Sequence, residues 1–495
     1  MVFIMQLPTL VTFFIYFIIL TGIGIYFYRK TSNIEDYLLG GRGLGKWVTA
    51  FSAQASDMSG WLLMGLPGAV YLKGFPAVWI AVGLCIGTVL NWKLVAVRLR
   101  VYTQKNDSLT LSTFFENRFR DPTGLLRTLS AIITLIFFTI YASSGLVASG
   151  KLFESVFGLD YRMAVCIGTF VIVTYTFLGG FLAVSWSDLL QGALMVVAIV
   201  IVPAAAYHSA GGLQGISDAM AAENITAGFF HGGPLSALTI ISTMAWGLGY
   251  FGQPHILARF MGIKSEKNLP QAMRIAIVWV IVSLAGAVCV GFISIPLFQG
   301  LRGGDEEKVF IFMINMIFNP WVGGIFLAAI LSAIMSTIDS QLLVSSSTLT
   351  EDFYLKVLKK GASQRELVFV GRLSVIIISF IALILALNPD NTVLGLVAYA
   401  WGGFGAAFGP LVLFSLFSRK TTWQAALTGM VTGTLVLIVW KYLGFGTYMY
   451  EIVPGFFSNV CAVIIVNSII SQDNQQIEEE YSAVMAEIYD DADMN

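Results

Sequence analysis

Charge is scarce in this sequence. Only 12% of its 495 residues are Asp, Glu, Lys or Arg, about half the share found in soluble domains, which excludes an ordinary water-exposed globular chain. Cysteine is scarcer still. Cys85, Cys166, Cys289 and Cys461 stand singly inside apolar segments with no CxxC pair, so neither a disulfide framework nor a zinc site is indicated. The three histidines, His208, His231 and His255, lie in or beside different loops and share no helical spacing, so no metal set is expected from them. The net charge is −1 and no basic tract or aromatic-basic platform appears, which argues against nucleic acid as a partner. There is no positively charged leader segment and no small-residue cleavage site, so the first apolar run reads as a retained helix rather than a signal peptide. No nucleophile–base pair stands out, and an enzyme is the weakest reading.

Apolar length is what the chain has in quantity. Hydrophobic residues make up 57% of it, and its mean hydropathy is +0.80. Runs of about 20 apolar residues recur, each long enough to span a hydrocarbon core of roughly 30 Å. The chain therefore reads as one polytopic bundle in a lipid bilayer rather than three soluble domains. Thirteen candidate spans follow: about 5–28, 47–72, 75–98, 125–156, 160–180, 186–208, 236–258, 272–299, 321–352, 366–387, 390–418, 422–441 and 450–472. They are referred to below as spans 1 to 13.

Lys and Arg set the orientation. With the N-terminus outside, the inside loops hold Arg29, Lys30, Arg42 and Lys46, then Arg98, Arg100, Lys105, Arg118, Arg120 and Arg127. Arg259, Lys264, Lys267, Arg274, Lys356, Lys359, Lys360, Arg365, Arg372, Arg419 and Lys420 continue that set, whereas the outside loops have only scattered cations. The pattern gives N-out, C-in and an odd number of spans. A long polar loop, 209–235, separates spans 2–6 from spans 7–11. Two sets of five helices must have opposite orientations, which is the arithmetic of an inverted repeat. The layout is then a first helix and inside loop (1–46), a first repeat (47–208), an outside loop (209–235), a second repeat (236–418), two further helices (419–472) and an acidic tail (473–495). The tail reads as solvated and disordered. Asn224-Ile225-Thr226 matches a glycosylation pattern too short to carry weight.

The chemistry concentrates where the apolar runs are interrupted. "AQASDMSGWLLMGLPGA" in span 2 holds Asp57, Ser59, Gly60 and Pro67-Gly68. Lipid cannot satisfy a broken helix, so a break at mid-depth has to line a cavity or bind something, and an acid there points to function. Span 7, the matching first helix of the second set, reads "MAWGLGYFGQPHILARF", broken by Gly247, Gly249, Gly252 and Pro254 and flanked by Trp246 and Tyr250. Paired interruptions of this kind mark a transporter's binding site. Span 9 reads "LSAIMSTIDSQLLVSSSTLTEDFY", with Ser332, Ser336 and Ser340 on one face and Thr337 beside them. Hydroxyls and carbonyls suit a small hard cation. The six hydroxyls Ser340, Ser345, Ser346, Ser347, Thr348 and Thr350 exceed ordinary packing needs. Asp188 reads as a loop charge at the inside end of span 6 or as part of a cation exit path. Tyr141 reads as core on pattern alone.

At these residues the chain resembles the sodium:solute symporters, and within them the bacterial sodium/proline symporters, over essentially its whole length. "LLGGRGLGKWVTAFSAQASDMSGWLLMGLPGAVYLKG", "FFTIYASSGLVASGKLFES", "TFLGGFLAVSWSDLLQ", "WGLGYFGQPHILARFM" and "SAIMSTIDSQLLVSSSTLTEDFY" carry the resemblance. It implies an all-α membrane protein of thirteen transmembrane helices with a leucine-transporter-type inverted five-helix repeat, in the cytoplasmic membrane. It implies co-transported sodium held by the carbonyls of Ala55, Met58 and Ala333 and the hydroxyls of Ser336 and Thr337. Asp57 and Asp188 are implied in sodium coupling and release, and Arg42 in gating. L-proline is the implied substrate, set against Ser59, Gly60, Trp61, Tyr141, Trp246, Tyr250 and Pro254. One departure is Asp339, an acid the resemblance does not lead one to expect. No obligate protein partner is evident. A symporter for another small carboxylate, a proton-driven one, a membrane sensor and a channel are the alternatives.

Overall fold

The computed structural model describes residues 7–28, 30, 33–178, 180–225, 228, 234–470 and 475–493. Arg29, Thr226 and His231 lie outside them. Every regular element among the described residues is helical, apart from one isolated bridge between Leu44 and Ile263. Ten helices are long and apolar enough to cross a membrane: Leu7–Tyr28, Phe75–Lys105, Leu125–Phe157, Phe181–Ala206, Glu266–Leu297, Pro320–Lys356, Gln364–Ala386, Val393–Phe417, Trp423–Tyr442 and Ile452–Ile469. They correspond to spans 1, 3, 4, 6 and 8–13. The other three expected spans are shorter or interrupted. Span 5 is Tyr161–Leu178, and spans 2 and 7 are broken.

Burial separates centre from rim. Spans 9 and 11 each have 83% of their apolar window buried, against 22% for span 1, so spans 9 and 11 form the core and span 1 lies against lipid. Spans 12 and 13 form an antiparallel pair at the periphery.

The two breaks have clear local causes. Span 2 runs as a helix over Lys46–Asp57 and stops at Met58, whose φ −84°, ψ 79° is not helical. The chain restarts with a wide turn, Trp61–Gly65, in which the Leu66 amide reaches back five residues to the Trp61 carbonyl. Pro67 has no N–H to offer the carbonyl four residues earlier, which favours this widening. Span 7 narrows into a tight 3₁₀ stretch, Ala245–Gly252, becomes extended at Gln253, and restarts at Pro254–Met261. Pro at a first helical position costs nothing there.

A glycine crossing seats the second break. A Cβ on Gly87 of span 3 would lie 2.3 Å from the Gly247 carbonyl oxygen, and one on Gly247 would lie 2.3 Å from the Gly83 oxygen. The two backbones touch, so any side chain at the crossing must push them apart.

Three expectations change. Span 6 begins at Phe181 rather than near residue 186, because the apolar Phe181–Val184 continues the helix once past Gly180. Asp188 is therefore about two turns inside a helix and fully buried, not a charge at its end. The tail is not disordered: Gln475–Asp493 is a helix that docks on the bundle. Its Ile477, Tyr481, Val484 and Met485 are buried on one face, an apolar stripe that an average over an acidic segment conceals. Finally, several of the assumed loop cations are interior. Arg100, Arg118 and Arg259 are 3%, 1% and 0% exposed.

Candidate functional site

Span 9 meets span 2 at its break. The Ser336 hydroxyl donates to the Ala55 carbonyl at 2.7 Å and the Thr337 hydroxyl donates to the same oxygen at 3.2 Å. Both hydroxyls also lie 3.3 Å from the Ala333 carbonyl of their own helix. Four of the five expected cation-site residues are thus within hydrogen-bond reach of one another. Met58, the fifth, ends the half-helix in the non-helical conformation that takes its carbonyl out of the regular ladder. All five are buried. The donor set is uncharged oxygen throughout, the chemistry of a hard cation.

Asp57 lies beside this set and bonds elsewhere. Its Oδ2 accepts from the Tyr250 hydroxyl at 2.5 Å, tying the break of span 2 to the break of span 7. Its backbone carbonyl accepts from Trp61 Nε1 at 3.0 Å and from the Tyr141 hydroxyl at 3.3 Å. Asp57 Oδ1 has no hydrogen-bond partner among the described residues. Tyr141, core on sequence pattern alone and set at the substrate by the resemblance, thus lies at the break of span 2.

The aromatic wall assembles around the same point. The Trp61 and Trp246 ring centroids are 6.5 Å apart. Trp401 Nε1 donates to the Trp246 carbonyl at 2.7 Å, and the Trp401 ring meets Tyr250 edge-on at 5.0 Å. Ser59 Oγ accepts from the Trp61 amide at 3.3 Å. Gly60 is hemmed in: a Cβ there would lie 2.8 Å from the Ala148 side chain and 3.3 Å from Ile334. Pro254 departs from the group. It lines a small cavity with Leu38, Thr110, Ala258 and Val344, toward the arginine-rich face, and no described contact joins it to Trp61 or Trp246. His255, taken from the sequence as lying beside a loop, is fully buried between Phe138 and Tyr141, 5.5 and 6.0 Å away. Among the described residues no His, Cys, Asp and Glu group could hold a metal.

Toward the arginine-rich face, a residue that sequence reasoning assigned to a loop closes the site. Arg259 of the second half of span 7 donates from Nε to Ser52 at 3.0 Å, from Nη1 to the His255 carbonyl at 2.9 Å, and from Nη2 to Ser340 at 2.5 Å. Nη2 also pairs with Asp188 Oδ2 at 3.3 Å, and the Ser52 hydroxyl donates to the same oxygen at 2.6 Å. One guanidinium thus joins spans 2, 6, 7 and 9. Asp188 is the anion of this lock and does not touch the Ser336–Thr337 oxygens directly. The hydroxyl-rich run of span 9 divides likewise. Ser340 belongs to the lock, whereas Ser346, Ser347 and Thr350 donate to backbone carbonyls, the packing role usual in membrane helices. Asp339 bonds to the Thr176 hydroxyl of span 5.

Arg42 lies further along this face, with its backbone at φ 51°. Nη1 donates to the Met261 carbonyl at 2.9 Å, and Nη2 donates to the carbonyls of Thr103 and Ser108 at 3.0 Å each. It ties the loop before span 2 to the end of span 3 and to the end of span 7. Burial, then the neighbouring Arg100, lower its pKa to about 10, so it stays charged at neutral pH.

A model of the sodium:solute symporter family matches residues 37–433, four-fifths of the chain. The chain belongs to that family. The sodium/proline symporter of Salmonella typhimurium is 48% identical over 482 residues, 96% of each protein. That of Escherichia coli is 50% identical over 465 residues, 92% of each. The high-affinity proline transporter PutP of Bacillus subtilis is 48% identical, covering 93% of this chain and 98% of its own length. Among solved structures, a Na+-coupled sialic acid symporter in a substrate-bound outward-open state superposes with TM-score 0.80 at 17% identity, over 95% of this chain and all of that one. The nucleobase-cation-symport-1 transporter Mhp1 superposes at 0.54 with 16% identity, over 90% of this chain and 98% of that one. The fold of these transporters is the fold seen here.

The face opposite the arginines carries one more buried ion pair. Glu307 sits in the segment between spans 8 and 9. Its Oε2 pairs with Lys151 of span 4 at 2.6 Å and accepts from the Val393 amide at 2.9 Å, while Oε1 accepts from Leu394 at 3.0 Å. A carboxylate at a helix N-terminus is favourable, and here it seats the start of span 11 over the break of span 2. Glu307→Gln leaves Lys151 buried without its counter-charge, and losing one partner of a buried pair costs about 3–5 kcal/mol. The expected result is a lower unfolding midpoint in detergent together with slower transport. An unchanged midpoint would show that Lys151 finds another partner.

Proposed function

We propose that this chain is a secondary active transporter that couples inward sodium movement to uptake of L-proline across the cytoplasmic membrane. The observation that carries the reading is the convergence of Ser336 and Thr337 on the Ala55 carbonyl, an all-oxygen set at the contact of spans 2 and 9. The names of relatives alike over nearly the whole chain support proline and sodium as the cargo.

In this reading sodium binds the carbonyls of Ala55, Met58 and Ala333 and the hydroxyls of Ser336 and Thr337. Those hydroxyls then turn from the carbonyls to the ion. Sodium fixes span 9 against the first half of span 2 and so sets the broken segment for the substrate. Amides at the start of the half-helix beyond Gly60 take the proline carboxylate. Trp61, Trp246, Tyr250 and Tyr141 enclose the ring, and an aromatic face favours the secondary ammonium. Asp57 holds both breaks in register through Tyr250. Each ligand raises the affinity for the other by the same factor. Both bound, the protein rocks to its inward state, driven by the sodium gradient and by voltage worth about 2.3 kcal/mol per charge per 100 mV.

The arginine-rich face is the cytoplasmic one under the positive-inside rule, giving an outside N-terminus, thirteen spans and two five-helix repeats of opposite orientation. The Arg259–Asp188 lock and Arg42 then form the inner gate, and Glu307 with Lys151 closes the outer side. Asp188 accepts sodium on its way out when Arg259 swings clear.

Uptake of labelled L-proline into proteoliposomes tests the reading, with an inward sodium gradient against an equal potassium gradient. Accumulation with sodium alone is expected. Accumulation with potassium or protons instead would remove sodium, and stronger competition by another unlabelled carboxylate would remove proline. Ser336→Ala deletes one neutral oxygen donor, worth about 1 kcal/mol. It is expected to raise the sodium needed for half-maximal uptake roughly five- to tenfold. An unchanged sodium dependence would move the cation site elsewhere.

A further inference from the structure

We propose that the C-terminal helix, Gln475–Asp493, is a salt-releasable brace across the cytoplasmic face, and that its docking slows opening of the inner gate. The helix carries seven carboxylates and no Lys or Arg. Its partners are cations from three places in the bundle. Lys105, at the end of span 3, pairs with Glu487 at 2.9 Å and donates to the Ala483 carbonyl at 2.7 Å. Arg120, after the short helix Leu111–Phe119, pairs with Glu480 at 3.1 Å. Arg419, after span 11, stacks on the Tyr481 ring at 4.7 Å. Arg98 of span 3 reaches the Met485 sulfur and also stacks on Phe417 of span 11, 4.4 Å from its ring centre. The buried face of Ile477, Tyr481, Val484 and Met485 sits among these groups.

The brace therefore fastens the inner end of span 3, from the first repeat, to the inner end of span 11, from the second. In the inner-gate reading, these two inner ends part when the inside opens. The same stretch of span 3 holds the gate arginine from its other side, because Arg42 donates to Thr103 and Ser108. Anything that stiffens residues 97–108 stiffens the seat of Arg42. The inference rests on the inner-gate reading given above.

Salt sensitivity follows from how wet the polar contacts are. Lys105 and Glu487 are 31% and 44% exposed at the side chain, and Arg120 is 45% exposed, with Glu480 at 11%. An open polar cleft of about 790 Å³, lined by Lys105, Asn117, Arg120 and Glu480 among others, admits water beside them. Pairs this exposed are screened when the Debye length falls from about 10 Å at 0.1 M salt to about 3 Å at 1 M. The ties of the helix to Lys105 and Arg120 then weaken, and the brace slackens.

The test uses the full chain in proteoliposomes at a fixed sodium gradient, with choline chloride raised equally on both sides. Initial L-proline uptake is expected to rise about two- to fivefold with salt, the size of one or two exposed ion pairs. A chain ending after Ile470 is expected to run at the high rate at every salt concentration. Lys105→Glu should do the same, and adding Glu487→Lys should restore the salt response by remaking the pair reversed. A truncated chain that keeps the wild-type salt response overturns the brace, as does a flat response in the intact chain. If the truncated chain fails to insert, the charge-reversal pair decides alone. Loss of sodium dependence in the truncated chain would instead fault the symport reading.

Discussion

Arg259→Gln is expected to abolish sodium-driven proline uptake while leaving the protein in the membrane. The substitution keeps a polar side chain, though a shorter one, and removes the charge that balances Asp188, and both groups are 0% exposed. An uncompensated buried carboxylate left by such a change costs about 3–5 kcal/mol. In the proposed inner-gate reading the loss also opens that gate, since Arg259 is the group that joins Ser52, Asp188 and Ser340. The expected readout is an inner cavity open to a cytoplasmic-side thiol reagent at a cysteine placed at Ser340, with uptake at background. Arg259→Gln combined with Asp188→Asn removes both charges and is expected to regain stability in detergent, because a neutral pair no longer strands a carboxylate. Equal damage in single and double variants would show that the arginine serves through its packing on Phe181 rather than through Asp188.

Gly87→Ala is expected to do comparable harm from a place with no charge. Its new methyl would stand 2.3 Å from the Gly247 carbonyl oxygen and 2.5 Å from its Cα. These are backbone atoms, so no rotamer change relieves the clash. Span 3 and the broken stretch of span 7 must part, and overpacking of this sort costs about 1–3 kcal/mol or more. Trp246, next to Gly247, moves with it. The expected outcome is weaker L-proline binding with the sodium dependence retained, since the Ser336–Thr337 oxygens lie on other helices. Binding of labelled proline to the purified variant, against its sodium half-saturation, separates the two effects. Unchanged proline affinity would show that the crossing has slack and that Trp246 is not set by it.

The broken spans were readable in the sequence because Gly and Pro interrupt long apolar runs, and nothing else in such a run needs to. The positions of Ala55, Ser336 and Thr337 were readable through resemblance, and the structure brings those three together. Arg259 was not readable in the same way. Hydropathy registers its charge and assigns it to a loop, since the sequence does not say that Asp188, 71 residues earlier, lies opposite it. Asp188 was misplaced for a related reason: two glycines before Phe181 look like a loop, and only packing shows that the helix starts immediately after them. The acidic tail failed by averaging. Its composition reads as disordered, while the apolar positions 477, 481, 484, 485 and 488 mark one helical face that has a partner only once the bundle is built. The hydroxyl run of span 9 erred in the opposite direction, because Ser and Thr that bond their own backbone look the same in sequence as Ser and Thr that bind an ion.

Span 11 is held at both ends by charges from elsewhere in the chain. Glu307 accepts from its first amides, and Arg118 donates to the carbonyls of Ser415 and Ser418 at its close, at 2.8 and 2.9 Å. Both charges have the sign that its dipole favours. One continuous helix therefore reports to both sides of the membrane. In the proposed orientation, releasing its outer end leaves Arg118 as the pivot, and releasing its inner end leaves Glu307 as the pivot. A carrier that frees both at once is a leak, through which sodium runs down without proline. The two end charges of span 11 thus bear on tightness of coupling as well as on speed, and a variant lacking either one is expected to waste sodium for each proline carried.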